Sequence, residues 1–449
     1  MERNIENKKS RQPLIIQLAP PSLRQGHSVP ATWAKFPYFL TSLLLYFLAF
    51  LTGCVPGEQT GQAAVRQSPD PYIVRVLLDD HINKAKLQIE TQYKILDPQT
   101  VQVFDVQKTT GKIDIEPVAQ GIKIGEQIFA TSRLIIQPPD NLPFTIDGHS
   151  YRGNLELIAD SNSQSIMAIN NVSIETYLAG VVSAEMPSYW EDEALKAQAV
   201  AARTYCLYIK NKFGKNRLWD VKTTQANQVY RGVWAETVRT VNAVNSTFGM
   251  VLCYQSQDKQ ESGDCQDFPA YYSSICGGHT ENTKNVFGDS AVAMEGVACP
   301  YCGQITRPSL FYWPMAKFDK KTASDRILDR YPHLKDLEKV EKITPAAESV
   351  YDDGFKRIVR VMLTGSNGKT AYLRAEDMRL AIDPTGSKIQ STSCTIISME
   401  KEFLFVAGKG FGHGAGLCQY GAREMARQGK NAQQILSFYY PNSRIKILY

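Results

Sequence analysis

Between residues 174 and 212 the period of the text changes. The run IETYLAGVVSAEMPSYWEDEALKAQAVAARTYCLYIKNK repeats its apolar positions with helical spacing, and Pro187 divides it, because proline cannot continue the first helix. The text on both sides is strand-like: YIVRVLLD, KLQIETQYKIL, YRGNLELIA and SIMAINNV before it, RIVRVMLTG and EFLFVAG after it. Strands, then helices, then strands, without regular βαβ alternation, predict an α+β fold: a helical central segment flanked by antiparallel β-rich regions. At 449 residues and 43% hydrophobic content the chain has material for two to three domains.

The N-terminal part reads as an address. Residues 36–51 (FPYFLTSLLLYFLAFL) form an uncharged run of 16, below the ~18–20 apolar residues of a spanning helix. Arg3, Lys8, Lys9, Arg11, Arg24 and Lys35 precede it, and Leu51-Thr52-Gly53-Cys54 follows it. A basic segment, an apolar segment and a small-residue site form an export signal, and the last four residues resemble the lipobox of bacterial lipoproteins. The expected organisation is a lipoprotein signal over 1–53 with Cys54 as lipid attachment, and a polar tether over 54–70. A β-rich domain over 71–165 and a second domain over 166–449 follow. A plain signal peptide or short anchor is the alternative. The expected location is outside the cytoplasm, membrane-anchored and facing the cell wall or periplasm. Residues 1–53 hold a net charge of +4 of the chain's +5. The remainder is close to neutral, so the basic balance gives no support for nucleic-acid binding.

Within the helical centre, Ser188 stands three residues before Glu191 and predicts a capping box for the second helix. The body of that helix is apolar nearly all round and is expected to be buried. Gln198 and Arg203 lie inside it, and a buried guanidinium needs an anionic or well-bonded partner. Glu185 follows the apolar VVSA and precedes Met186-Pro187, at a helix end rather than on a solvated face. Desolvation there raises a carboxyl pKa toward neutrality, as a general acid requires. The plainer alternative is a structural carboxylate paired with Arg203.

Several blocks in fixed order identify a resemblance. NNVSIETYLAGVVSAEMPSYWEDEALKAQAVAARTY, QANQVYRG, YYSSICGGHTENTKNVFG, LRAEDMRLAIDPTGSKIQSTSCTI and GKGFGHGAGLCQYGAREMARQGK together resemble the stage II sporulation protein D family, which includes an amidase-enhancer branch. The resemblance implies a catalytic domain over 166–449 and a lytic transglycosylase acting on peptidoglycan glycan strands stripped of peptide stems. It implies that Glu185 is the catalytic acid. Gln198, Arg203, Gln228, Tyr230, Thr280, Glu281, His413 and Gln419 are the candidates for the cleft around it. The other branch implies a binding module that activates a cell-wall amidase. A zinc-dependent hydrolase and a purely structural wall protein are weaker alternatives.

Nine cysteines are many for this length. Cys276-Gly-Gly-His279 and Cys299-Pro-Tyr-Cys302 make two close pairs joined by a loop, the way a tetrahedral zinc site is assembled. Disulfides are the alternative in an oxidising setting. Some members of the family carry zinc near the active site with a varying ligand set, so His279 is the least secure ligand; His413, a water or another group can replace it. Cys253 and Cys265 flank a polar hairpin-like stretch and are candidates for a disulfide. Cys206 reads as an inert core thiol, and Cys394 and Cys418 carry no assignment. The family usually has serine at position 418.

Glycines alternate from 408 to 416 in GKGFGHGAG. Gly410, Gly412 and Ala415 fit a loose dinucleotide-binding pattern, but no acidic residue follows Glu424 to take a ribose contact. Close approach of the loop backbone to another segment or to sugar is the better account. His413 at its centre is either a structural hydrogen bonder or a cleft residue near Glu185.

Overall fold

The computed structural model describes residues 64–67, 72–106, 111–139, 142–160, 164–254, 265–288 and 294–449. The expected signal segment, Cys54 and most of the tether lie outside them. Among the described residues no helix is long and apolar enough to cross a membrane.

The fold is α+β, as the alternation of text predicts. A seven-stranded sheet runs in the order Val221–Lys222, Ile73–Ile82, Ser165–Ser173, Asn154–Asp160, Arg133–Gln137, Tyr93–Asp97, Gln102–Val106. Its neighbours pair antiparallel except the first two, which are parallel. Alternation along the strands sends Val74, Val76, Leu155, Leu157, Ile166 and Ala168 inward. A six-stranded sheet built from residues 85–151 adds Leu87, Ile115, Ile122 and Phe144 to the same core. That core continues through the helices to Tyr440, so no core boundary falls at the expected 165/166 junction. A second core, between Trp313 and Phe405, joins two three-stranded sheets with the Lys320–Arg330 and Ala375–Ile382 helices.

The central helices sit in the first core. Ser173 caps the Ile174–Glu185 helix by accepting from the Thr176 amide, and Met186 turns extended at its end, ahead of Pro187. The Asp192–Phe213 helix buries 14 of its 22 residues, in keeping with its apolar text. Its expected capping box does not form. Glu191 is itself the cap position, without a side-chain cap bond, and its carboxylate accepts from Arg423 at 3.1 Å. A helix that starts at Asp192 moves Ser188 out of capping reach.

Candidate active site and cysteine cluster

Glu185 is the last residue of the first central helix and reaches into a cleft of about 460 Å³. Both cores contribute walls. Tyr205, Tyr272, Ser273, Phe287 and Gln419 line the side of the first, while Arg330, Glu376 and Arg379 stand on helices of the second, with residues 384–386 just beyond them. The glycine-rich loop contributes Phe411, Gly412 and His413.

Burial raises the Glu185 carboxyl to about 7, against smaller lowering effects of the Val229 amide and the Gln419 side chain. The Val229 N–H donates to Oε1 at 2.8 Å. Gln419 lies near enough to favour the ionised carboxyl slightly, yet its Nε2 meets no acceptor in hydrogen-bond geometry. Ser273 Oγ is likewise buried and unpartnered on the same cleft. Buried polar atoms left open beside a neutral carboxylic acid are donors and acceptors available to a bound molecule.

The glycine-rich loop comes close to another backbone, as its composition predicts. Phe411 and Ile275 exchange N–H···O bonds of 2.8 and 3.0 Å, and Leu417 donates to the Tyr271 carbonyl at 3.0 Å. At Gly416, φ is +71° and a Cβ would overlap the Tyr271 carbonyl oxygen. His413 lines the cleft. Its Nδ1 accepts from the Ala415 amide at 3.0 Å, and the Tyr272 backbone beside it favours the protonated ring less strongly than burial opposes it. Burial lowers its pKa to about 4, so it is neutral at pH 7 and acts as a wall hydrogen bonder.

The remaining candidates divide by contact. Arg203 does not meet Glu185. It is fully buried in a two-pronged pair with Glu175, at 2.8 and 2.6 Å, and also donates to the Met250 carbonyl at 2.9 Å. The cleft reading of Arg203 is therefore corrected to a structural one. Gln198 is fully buried with neither amide atom bonded, and it does not line the cleft. Gln228 sits behind the wall, accepting from Tyr177 at 3.2 Å and donating to the Tyr272 hydroxyl at 2.9 Å. Tyr230 donates to Asn170 Oδ1 at 3.0 Å. The segment around Val229 thus serves Glu185 through its backbone, while its neighbouring side chains face the core. Thr280 and Glu281 are also off the cleft. Thr280 Oγ1 accepts from the Val297 amide at 2.7 Å. Glu281 accepts from Asn282, Asn285 and Ser349 and lies 3.8 Å from the buried Arg357.

The second wall has no clear mark in the sequence. Arg379 donates to both oxygens of Glu376, at 2.9 and 2.6 Å, and to the Ile389 carbonyl at 2.9 Å. Burial alone would raise the Glu376 carboxyl, but the Arg379 charge and hydrogen bonds outweigh it and hold the pKa below the usual value. The only sequence signal was the acidic–basic i,i+3 spacing in AEDMRL, which reads equally as a solvated helix face.

The expected metal residues are brought together with one exchange. Cys276, Cys299, Cys302 and Cys418 are all buried, with sulfurs within 4.8 Å of one another. His279 is outside the group. Its Nδ1 lies 2.6 Å from the Thr280 carbonyl and its ring stacks on Tyr351 at 3.4 Å. Cys418, unassigned from the sequence, takes the fourth place because its strand pairs with Tyr272–Ser273 beside Cys276, and the Cys276 amide donates to its sulfur at 3.3 Å. A tetrahedral ion with bonds of about 2.3 Å to sulfur separates its ligands by about 3.8 Å. Cys276 and Cys302 already stand 3.6 Å apart. Four buried thiols at this spacing, with no disulfide among them, fit a metal ion. Elsewhere Cys253 and Cys265 form the expected disulfide, and burial raises the Cys206 thiol, which is inert in the core.

The family model described as Stage II sporulation protein (SpoIID) matches residues 162–254, which include both central helices and Glu185. An uncharacterized protein of Brachyspira hyodysenteriae is 30% identical over 368 residues, covering 82% of this chain and 91% of that protein. The amidase enhancer of Bacillus subtilis is 28% identical over 76% of this chain, which spans half of that protein's length. Stage II sporulation protein D of Bacillus subtilis is 28% identical over 62% of this chain and 76% of its own length.

Proposed function

The chain belongs to the stage II sporulation protein D family, and on that footing we propose that it is a peptidoglycan lytic transglycosylase with Glu185 as its acid and base. One observation carries the reading: a carboxyl raised to about 7 by burial, facing a cleft on which Gln419 Nε2 and Ser273 Oγ have no partner. Protonated Glu185 gives its proton to the oxygen between N-acetylmuramic acid and N-acetylglucosamine as the bond from C1 to that oxygen breaks. The carboxylate then takes the proton of the muramyl 6-hydroxyl as that oxygen bonds to C1. The product is a 1,6-anhydro end, no water is consumed, and Glu185 is again protonated.

Two-carboxylate hydrolysis needs a second, free acidic group as base or nucleophile. Among the described residues the other carboxylate on the cleft, Glu376, has both oxygens committed to Arg379, which favours the one-carboxylate route. Zinc is the metal we assign to the four cysteines, with a structural role, since four protein ligands leave no open position for chemistry. Export and lipid attachment at Cys54 complete the reading and put the cleft next to the wall.

The test is incubation with peptide-free glycan strands and mass spectrometry of the products, with Glu185→Gln alongside. Release of 1,6-anhydromuramyl ends by the wild type, lost in the variant, is the expected result. Reducing ends would overturn the one-carboxylate route. Glycan binding without cleavage would favour the second reading, a non-catalytic activator of a cell-wall amidase, which the likeness to the amidase enhancer supports.

A further inference from the structure

The charges of the cleft do not balance. Glu185 is protonated up to about pH 7, His413 is neutral, and Glu376 is cancelled by Arg379. Among the described residues Arg330 is the remaining charged one on the lining. It closes the Lys320–Arg330 helix and is exposed. Its Nη1 donates to the Leu380 carbonyl at 3.1 Å, and its guanidinium stands 6.0 Å from the centre of the Tyr331 ring. Among the described residues no carboxylate pairs with it. The Leu380 carbonyl and the neighbouring Tyr331 side chain leave most of the five N–H donors open, and these contacts hold the side chain at the rim of the cleft. The group therefore presents a planar fork of donors to whatever occupies the cleft, the geometry that suits a carboxylate.

We infer that Arg330 is a specificity-determining residue that pairs with a carboxylate carried by the sugar strand, the free lactyl group of an N-acetylmuramic acid residue from which the peptide stem has been removed. The inference rests on the transglycosylase reading of the cleft. In a stripped strand that lactyl carboxylate is the ionised group of the repeat, whereas in an intact strand it is locked in an amide. Discrimination thus comes from the second core, whose helix end supplies Arg330, while Glu185 and Gln419 of the first core act on the glycosidic bond.

Binding measured in the Glu185→Gln background separates recognition from cleavage. Stripped strands are expected to bind about fivefold tighter than chito-oligosaccharides of equal length, which lack the lactyl group, or than stripped strands with that carboxyl reduced to an alcohol. Arg330→Gln is expected to bring the ratio close to one, and Arg330→Lys to keep part of it. High salt should weaken the ratio as well. A preference unchanged by Arg330→Gln, or no preference at all, overturns the inference and leaves the transglycosylase reading intact. Intact strands that bind as tightly as stripped ones, and lose as much with Arg330→Gln, would make a stem carboxylate the partner and also overturn it. Failure of every glycan to bind would instead overturn the reading of the cleft on which it rests.

Discussion

The backbone amide of Val229 donates to Oε1 of Glu185 at 2.8 Å across 44 residues of chain. This bond orients a carboxyl that is otherwise desolvated, and it leaves Oε2 for other work. Because an amide can only donate, it favours the ionised form modestly, and burial outweighs it. The carboxyl is thus aimed without being driven into permanent ionisation, the compromise that a group both giving and taking a proton would need.

Glu185 must be protonated to act as the acid, so kcat/KM is expected to fall as pH rises through about 7. Glu185→Gln should lower kcat by about a hundred- to ten-thousandfold. A rate–pH profile of the wild type that stays flat from pH 6 to 9 would contradict the assignment of the acid.

The same shift has a stability consequence. The folded pKa lies above the ordinary value of ~4.3, so the folded state holds this proton more tightly than the unfolded chain. That stabilisation is complete below the unfolded pKa and is lost as pH rises through about 7. Glu185→Gln removes the dependence, so relative to wild type the variant should gain about 1–3 kcal/mol between pH 5 and 8. Denaturant titrations at both pH values read this directly.

Gln419 has an orphaned Nε2 in the cleft. Replacing it with methionine, of similar volume, removes an unsatisfied buried group and should leave the thermal midpoint unchanged or higher. Activity should drop about ten- to a hundredfold if that amide binds the reacting glycan. A fall in midpoint with activity preserved would return Gln419 to a structural role.

Metal analysis of the purified protein is expected to find one zinc per chain. Cys418→Ser should lower zinc retention and the unfolding temperature, because it removes one of four clustered sulfurs. His279→Ala should retain the metal, since that ring is stacked on Tyr351 away from the cluster. The reverse pattern would restore the ligand set suggested by spacing.

Arg203 and Glu175 are both fully buried and joined by two bonds. Arg203→Met strands the Glu175 carboxylate and is expected to cost about 3–5 kcal/mol. Glycan binding by the folded fraction should be unchanged, and a selective loss of binding would reopen a cleft role for this arginine.

The features legible in the amino-acid text lie mostly within reach of a few residues. Pro187 ends one helix and the apolar 194–209 text buries the next; Glu185 falls at the junction, and its desolvation follows from its neighbours. The alternating glycines announce a backbone that packs against backbone, and Cys253 and Cys265 are near enough in the chain to pair. Partners that lie far apart in the chain were chosen by packing. Arg203 took Glu175 from the other helix, Cys418 rather than His279 joined Cys276 across 142 residues, and Val229 turned its amide to Glu185. The wall containing Arg330, Glu376 and Arg379 belongs to a second core whose docking no local pattern encodes. Periodicity and turn chemistry are set by neighbours along the chain. Pairing of buried charges, thiols and amides is set by which segments packing brings to within about 3 Å, the distance at which a hydrogen bond forms.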